Sequence, residues 1–188
     1  MRLSRPDAAA IERFLDAQRG RPYSYEEIGH TRHGERTHRG YAVDHNRERL
    51  GTGGATFAAA RDAIRAWRMF PAPWTAIEPK APIEVDAMVG VLVKAFGVWW
   101  LNAARIIYVI DEPRRFGFAY GTLSAHAERG EERFLVEWLD DDTVWYDLYA
   151  FSRPRLWAAR LASSMTRALQ RRFARDSKAA MARAVRGS

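Results

Sequence analysis

Phe-Gly-Phe-Ala-Tyr-Gly, residues 116–121, places large aromatic side chains at every second position and small residues between them. Successive side chains of a strand point to opposite faces, so this period of two predicts a strand with one aromatic face and one nearly bare face. A bare face lets another part of the molecule approach the backbone closely. The stretch therefore predicts a sheet strand against which something large packs.

The same alternation continues on both sides of this strand. Four further segments have it, and we predict them as strands: 83–94, 99–111, 131–138 and 143–151. Their connections are short, namely a tight turn at Phe96-Gly97, a turn at Pro113, a four-residue hairpin loop at 127–130 and an aspartate-rich turn at 140–142. Strands that are joined so closely form an antiparallel meander. An extended segment, 40–50, precedes them.

Helical periods frame the predicted sheet. Residues 4–19 predict a helix capped by Ser4, and residues 55–69 predict a second helix. Ser24 to Glu27 has the form of a capping box, which predicts one helical turn. A long helix is predicted to open at Pro154, and its apolar residues recur at every fourth position: Trp157, Leu161, Met165, Leu169 and Phe173.

The apolar stripe of that long helix and the apolar face of the sheet both need cover, and packing one against the other satisfies both. We therefore predict an α+β fold in which a curved antiparallel sheet wraps around the long C-terminal helix. In this interpretation residues 1–188 form one domain, with an N-terminal helix and loop extension over 1–39 and a core over 40–188. A chain of this length buries a sizeable core without cross-links.

The composition excludes several classes of protein. The chain has no cysteine, so it has no disulfide and no thiol catalyst, and a zinc site would lack its commonest ligand. No apolar signal-peptide core follows Met1. The longest apolar run, 98–110, contains Asn102 and Arg105, so we predict no transmembrane segment. We expect a cytoplasmic protein.

The net charge of +7 lies mostly in the C-terminal part of the chain. From Arg153 onward there are ten Lys or Arg residues and one acidic residue, Asp176. A basic helix on a near-neutral body is more often one solvated helix face than a binding site. The alternative, which we do not favour, is that nucleic acid or anionic lipid binds five arginines of this helix. They are Arg160, Arg167, Arg171, Arg172 and Arg175.

Short motifs spread over almost the whole chain form a specific set. They are Tyr23 to Gly29, His45 to Glu48 with Leu50 to Gly53, Trp67 to Pro71, Pro73-Trp74, Trp99 to Asn102 with Arg105-Ile106, Phe116 to Leu123, Gly130 to Glu132, and Phe151 to Pro154. This set resembles an uncharacterised bacterial and plant family, domain of unknown function family nineteen-ninety. The order of elements resembles the helix-grip architecture of the START and polyketide-cyclase (SRPBCC) superfamily. The resemblance implies a fold and no particular reaction.

Polar and amphipathic side chains on the predicted strands are the candidates for a ligand site. They are His45, Asn46, Asn102, Arg105, Tyr120, His126, Glu132, Trp138, Trp145 and Tyr146. Aromatic residues with polar tips form pocket walls, and amides orient ligands. The alternatives stay open, because the aromatic residues also suit an ordinary core and Asn46 also suits a backbone tether beside the glycine turn.

Two pairs have a structural alternative that we favour. His126 and Glu131 flank the predicted 127–130 loop and would face each other across the hairpin, as an acid–base pair or, in the favoured interpretation, as an exposed ion pair. Asn102 and Arg105 interrupt the most apolar strand, where Arg105 would bind an anionic group. The favoured interpretation is an internal pair, for example of this arginine with one of three residues. They are Asp111, Glu132 and Glu137.

We predict neither a metal nor a cofactor. His30, His33 and His38 lie in an arginine-rich loop that would repel a cation, and Gly51 to Gly54 lacks the lysine and the spacing of a P-loop. The predicted function is the binding of a small hydrophobic or amphipathic ligand in a cavity between sheet and helix. The main alternative is an enzyme of cyclase, dehydratase or hydrolase type on the same cavity, with Tyr120 and Glu132, or the His126 pair, as titratable groups.

Overall fold

The computed structural model describes residues 3–33, 40–154 and 163–187. The elements in this part of the chain are α1 Ala8–Asp16, a 3-10 helix His30–His33, β1 Ala42–Thr52, α2 Gly53–Arg65, β2 Thr75–Glu78, β3 Met88–Ala95, β4 Val98–Glu112, β5 Arg115–Thr122, β6 Glu128–Trp138, β7 Thr143–Pro154 and α3 Ser163–Arg186.

The seven strands form one curved antiparallel sheet in the order β1-β7-β6-β5-β4-β3-β2. Each strand from β2 to β7 pairs with its neighbour in sequence, and β1 closes the other edge by pairing with β7. The predicted meander is therefore confirmed. It follows from the short connections, which leave the chain no route to a parallel pairing.

The two faces of the sheet are covered by different elements. On the concave face, Phe118, Phe134 and Tyr146 are fully buried and share one apolar core with residues of α2 and α3. On the convex face, Ile11 and Leu15 of α1 pack on β3 and β4. The predicted α+β helix-grip fold, with a curved sheet around a C-terminal helix, is thus confirmed.

The bare face of β5 accepts the N-terminal segment. A side chain on Gly121 would overlap the Tyr25 hydroxyl, and one on Gly117 would overlap the Phe134 carbonyl of the next strand. Tyr25 reaches the sheet here and packs edge-on against Phe151, with ring centroids 5.7 Å apart. The close approach predicted from the small residues is confirmed.

The C-terminal helix differs from the prediction in its buried face. Pro154 lies in β7, where it pairs with Glu128, and residues 155–162, where the predicted helix would begin, lie outside the described residues. The buried side of α3 is Ala174, Ser177 and Met181, whereas Met165 is largely exposed. The period of 3.6 residues moves an every-fourth-residue stripe off the contact face within two turns. Trp157 and Leu161 lie outside the described residues.

Several predicted boundaries shift for local reasons. Strand β3 begins at Met88 and not at 83, because Asp86 adopts a positive φ of 67° in a turn. Asp7 and not Ser4 caps α1, since its side chain accepts from the Ala10 amide at 2.7 Å. The predicted helical turn at Ser24 does not form; the chain bends at 24–26, directly after Tyr23, which forms a bridge to Leu123 of the sheet.

Candidate functional site

Tyr120 and Glu132 are brought together on the concave face. The two residues are direct partners in the β5–β6 register, and the Tyr120 hydroxyl donates to Glu132 Oε2 at 2.5 Å. Tyr120 is only 5% exposed. Glu132 faces the concave side of the sheet, and the residue is half-buried. The pair is therefore not completely enclosed.

The environment of Glu132 shifts its protonation into the physiological range. Burial raises the pKa of Glu132 to about 7, the hydrogen bond from Tyr120 opposes the shift, and the nearby carboxylates of Glu128 and Asp44 add to it. Burial and the adjacent Glu132 charge raise the pKa of the Tyr120 hydroxyl, so it stays a hydrogen-bond donor. The pair can hold or release one proton near neutral pH.

Helix α3 is tied to the sheet beside this pair by polar contacts. The Gln170 amide nitrogen donates to both carboxylate oxygens of Glu128 at 3.0 Å and to Ser152 Oγ at 2.9 Å. Two guanidinium nitrogens of Arg167 donate to the two oxygens of the Asp44 carboxylate, at 2.5 and 2.7 Å. Burial raises the pKa of Glu128. These contacts fix the helix above the strand ends.

We call the space between these groups the concave recess. It is bordered by Tyr120, Glu128, Glu132 and Ala150 on the sheet and by Gln170 and Phe173 on α3. All of them except Tyr120 are half-buried, although they lie between the sheet and the helix. A half-open interior region of this kind, with few polar groups, is typical of ligand sites.

Aromatic rings form one wall of the recess. Ring centroids of Tyr120 and Phe134 are 5.6 Å apart, and those of Phe134 and Phe173 are 6.4 Å apart. Beyond them the interior is filled, because Phe118 and Tyr146 are fully buried and the Tyr146 hydroxyl bonds to Ser177 Oγ at 2.9 Å. The concave face is thus fully buried around Phe118 and Tyr146 and half-buried at Glu132 and Ala150.

Asn46, Asn102 and Tyr146 also lie on the concave face, but the latter two serve the protein itself. The Asn102 side-chain nitrogen donates to the Val91 carbonyl at 3.2 Å, and its oxygen accepts from the Ala127 amide at 3.2 Å. It therefore ties the β5–β6 loop to β3. Asn46 is half-buried opposite Leu148 on the face toward α3.

Three predicted site residues lie on the convex face, so the expectation that they line the interior is corrected. His45 hydrogen-bonds through Nε2 to Asp147 at 2.7 Å. Arg105 lies over the Tyr23 ring, 4.4 Å from its centroid, and 3.8 Å from Asp86. Arg105 therefore pairs with Asp86 and not with Asp111, Glu132 or Glu137, the partners suggested by the sequence.

Trp145 is the third of these residues. Its Nε1 donates to Thr143 Oγ1 at 2.9 Å, and the Arg47 guanidinium lies 5.1 Å from its ring centroid. The period of two explains the placement of all three side chains, because strand neighbours of inward residues must point outward. Trp138 is inward-facing but lies at the far end, where it stacks on Phe57 of α2 at 6.2 Å.

The predicted His126–Glu131 pair does not form. Strand β6 begins at Glu128, so the loop is 123–127 and His126 lies in it unpaired with the next strand. His126 Nδ1 accepts from the Glu128 amide at 3.1 Å, and burial lowers the pKa of this imidazole to about 4. Glu131 points to the convex face, opposite to Glu132.

Glu131 holds the N-terminal segment on the convex face. Its carboxylate is 2% exposed and accepts from the Tyr25 hydroxyl at 2.9 Å, the Gly29 amide at 2.7 Å and both the amide and hydroxyl of Thr31. Arg133 donates to the Thr31 carbonyl at 2.8 Å. A buried carboxylate needs several such donors, and this one has four. Its role is structural.

Sequence reasoning missed Glu128 and Gln170 as site residues. Glu128 was placed inside the predicted hairpin loop, and Gln170 is one neutral residue in a run of arginines. The detectable signal was the single amide on an otherwise cationic helix turn. Its significance depends on where the helix lies on the sheet, which a helical period alone does not fix.

A second depression lies outside the concave face. It is a groove of about 720 Å³ between α1 and the segment around Pro79 and Met88, with Ile11 and Leu15 at its apolar floor. Its charged rim includes the Arg5–Glu78 ion pair, 2.9 Å long. The groove has none of the buried titratable pairs found in the concave recess.

Within residues 3–33, 40–154 and 163–187, no three His, Asp or Glu side chains are arranged to hold a metal ion. No described helix is long and apolar enough to cross a membrane. The solvent face of α3 exposes Arg171, Arg172 and Arg175, and the last two contact Asp176. Polyanion binding stays a prediction, and Arg160 lies outside the described residues.

Comparison with known proteins gives close relatives along the whole chain. A UPF0548 protein of Dictyostelium discoideum is 32% identical over 202 residues, covering 96% of this chain and 94% of the relative. A UPF0548 protein of Deinococcus radiodurans is 38% identical over 182 residues, covering 90% and 91%. The crystal structure of Ara h 8.0201 matches with a TM-score of 0.51 at 11% identity, over 79% of this chain and 100% of that one.

The identity to Ara h 8.0201 is low, so that likeness concerns the fold alone. The relatives in sequence extend over nearly the full length, and a family model described as a domain of unknown function, DUF1990, matches residues 24–180. The chain therefore belongs to the DUF1990 family.

Proposed function

We propose that this protein binds a small amphipathic ligand in the concave recess. The observation that carries the proposal is the position of Glu132, which lies within the molecule beside Tyr120 and still keeps accessible surface. A carboxyl group is expensive to bury without full hydrogen bonding, and such a group with one partner among the described residues suits a ligand contact.

The surroundings supply the second half of an amphipathic site. Phe134 and Phe173 border the polar pair. Ala150 of β7 is the register partner of Glu132 and lies on the same face of the sheet. An apolar body packs on these groups while a polar head reaches Glu132. Ligand sites combine mostly apolar walls with a few fixed polar groups in this way.

Fluorescence titration with N-phenyl-1-naphthylamine, a neutral apolar dye, tests the proposal. We expect saturable enhancement with the purified protein. Ala150→Trp fills the recess and should weaken dye affinity at least about ten-fold, the effect of losing roughly 1.4 kcal/mol of contacts. Ala179→Trp, which changes an exposed position of α3, is the matched control and should bind like the original protein.

Two results of that titration would count against the recess. One is dye binding that does not saturate in the unchanged protein. The other is equal affinity in Ala150→Trp and Ala179→Trp, with circular dichroism showing both variants folded. Equal affinity would place the dye elsewhere, for example in the groove beside Ile11 and Met88.

The Tyr120–Glu132 pair also favours a second candidate function, proton transfer on a bound molecule. A base with a pKa of about 7 beside a hydroxyl donor is suited to removing a proton next to a carbonyl group. Deuterium uptake from D2O into phenylacetone, followed by NMR, should then exceed the buffer rate and return to it in Glu132→Gln. Uptake at the buffer rate in the unchanged protein would remove this candidate.

A further inference from the structure

We infer that Glu132 is the specificity-determining residue of the concave recess and that it selects amphipathic molecules with a protonated amine. The inference rests on the proposed function and adds the class of ligand. It follows from which hydrogen-bonding groups of the recess are already used by the protein, and from the charges that remain.

The side-chain donors of Tyr120, Gln170 and Arg167 beside the recess are used by the protein. Gln170 Nε2 donates to Glu128 and Ser152, and the Tyr120 hydroxyl donates to Glu132. Arg167 directs two nitrogens to Asp44, and one of them also donates to Gln170 Oε1 at 2.9 Å. A ligand that brings only acceptors would find no free donor among these groups.

An acceptor, in contrast, is left over. Glu132 accepts through Oε2, and its Oε1 has no partner among the residues that the structure describes. With respect to the described residues, this second oxygen keeps its lone pairs available, and Glu132 is half-buried. The complementary ligand atom is therefore a donor, and an ammonium group offers three.

The charges around the recess favour the same class. Glu128, Glu132 and Asp44 face one another closely enough to raise the pKa of Glu132, and Arg167 is the cation that balances Asp44. His126 adds no positive charge at neutral pH, because burial lowers the pKa of its imidazole. An anionic ligand would meet like charges in a region of low dielectric, whereas a cation would be attracted.

Three ten-carbon compounds with different heads test the inference: decylamine, decan-1-ol and decanoate. Each displaces N-phenyl-1-naphthylamine from the intact protein at pH 8, where Glu132 is ionised. We expect decylamine to bind at least about ten-fold more tightly than decan-1-ol, the low end for a hydrogen bond between charged groups. Decanoate should bind most weakly.

The variants separate the role of Glu132 from a general effect of charge. Glu132→Gln keeps the shape and a partner for Tyr120, and it should reduce the preference for the amine over the alcohol to within about two-fold. Glu48→Gln removes the same charge from β1, where Glu48 pairs with Lys178 at 3.7 Å, and should keep the preference.

The outcomes distinguish this inference from the proposed function. If the dye fails to bind, the recess itself is not a ligand site and both fall. If dye and decan-1-ol bind but decylamine has no advantage, or if the advantage persists in Glu132→Gln, only the inference about amines is overturned. Tighter binding of decanoate than of decylamine would also overturn it.

Discussion

Two adjacent glutamates have opposite tasks in this protein. Glu131 points to the convex face and is fully satisfied by Tyr25, Gly29 and Thr31, so it holds the N-terminal segment. Glu132 points inward and has Tyr120 as its protein partner among the described residues. The alternation of a strand assigns these roles, and a shift of one residue in register would exchange them.

The raised pKa of Glu132 makes a prediction about stability and pH. The folded protein holds a proton on Glu132 up to about pH 7, whereas an unfolded glutamate loses it near 4.5. Between these values the folded state binds more protons, so this residue lowers the free energy of unfolding as pH rises. In Glu132→Gln the residue at position 132 does not titrate, so it does not lower the free energy of unfolding as pH rises.

Relative to the unchanged protein, Glu132→Gln should therefore gain about 2 to 3 kcal/mol between pH 5 and pH 8. Urea unfolding of both proteins at the two pH values measures it. The effect of His126 cancels because both proteins contain it. A difference that stays constant with pH would show that Glu132 titrates normally.

At this scale the sequence predicts which residues can share a face but not which partners they meet. The pairing of Tyr120 with Glu132 was among the sequence-based hypotheses, since both lie in clear strands. The His126 pair failed because the loop boundary lies elsewhere, and strand boundaries depend on hydrogen bonds to neighbours that the local pattern does not contain.

At the scale of elements, the N-terminal segment is attached to the convex face by its contacts with Glu131. Tyr25→Phe removes one hydrogen bond to this buried carboxylate and should lower the free energy of unfolding by about 1 to 3 kcal/mol. It should also speed hydrogen exchange of the Gly29 and Thr31 amides.

Tyr41→Phe is the matched control for that experiment. It removes a hydroxyl group that donates to Glu27 at 2.8 Å, but at a half-buried position. We expect a loss under about 1 kcal/mol, since polar pairs that stay partly in contact with water contribute little. Equal losses in the two tyrosine variants would mean that Glu131 does not hold the segment.

The docking of α3 makes a separate prediction. Met181 is fully buried in the concave core, whereas Met165 on the same helix is 45% exposed. Met181→Ala should cost about 2 to 5 kcal/mol through lost contacts and a cavity, and Met165→Ala under about 0.5 kcal/mol. Chemical denaturation of both variants checks this. A reversed order would mean that the helix presents another face to the sheet.

The periodicity of α3 alone did not identify this face. Apolar residues are spread around the helix. Because arginines lie between them, the sequence does not show which apolar residues face the sheet. The true face includes Ser177 and Gln170, whose roles depend on Tyr146 and Glu128 on distant strands. Such long-range pairings are set by tertiary packing and not by local propensity.

On the scale of the whole molecule, the order of strands and helices was predictable because short connections force a meander and the family resemblance covers most of the chain. The amount of free space between the sheet and the helices could not be predicted from the sequence. The concave face is fully buried at Phe118 and Tyr146, which share one core with residues of α2 and α3, and it is half-buried at Glu132. Volume depends on how side chains interlock, which no periodicity records.

The most direct test of ligand binding in the concave recess is NMR of the protein with bound N-phenyl-1-naphthylamine. Intermolecular nuclear Overhauser effects should connect dye protons to the Ala150 methyl group and to the Phe173 and Tyr120 rings. Effects confined to Ile11, Leu15 and Met88 in the groove beside α1, or a complete lack of them at saturating dye, would contradict the account.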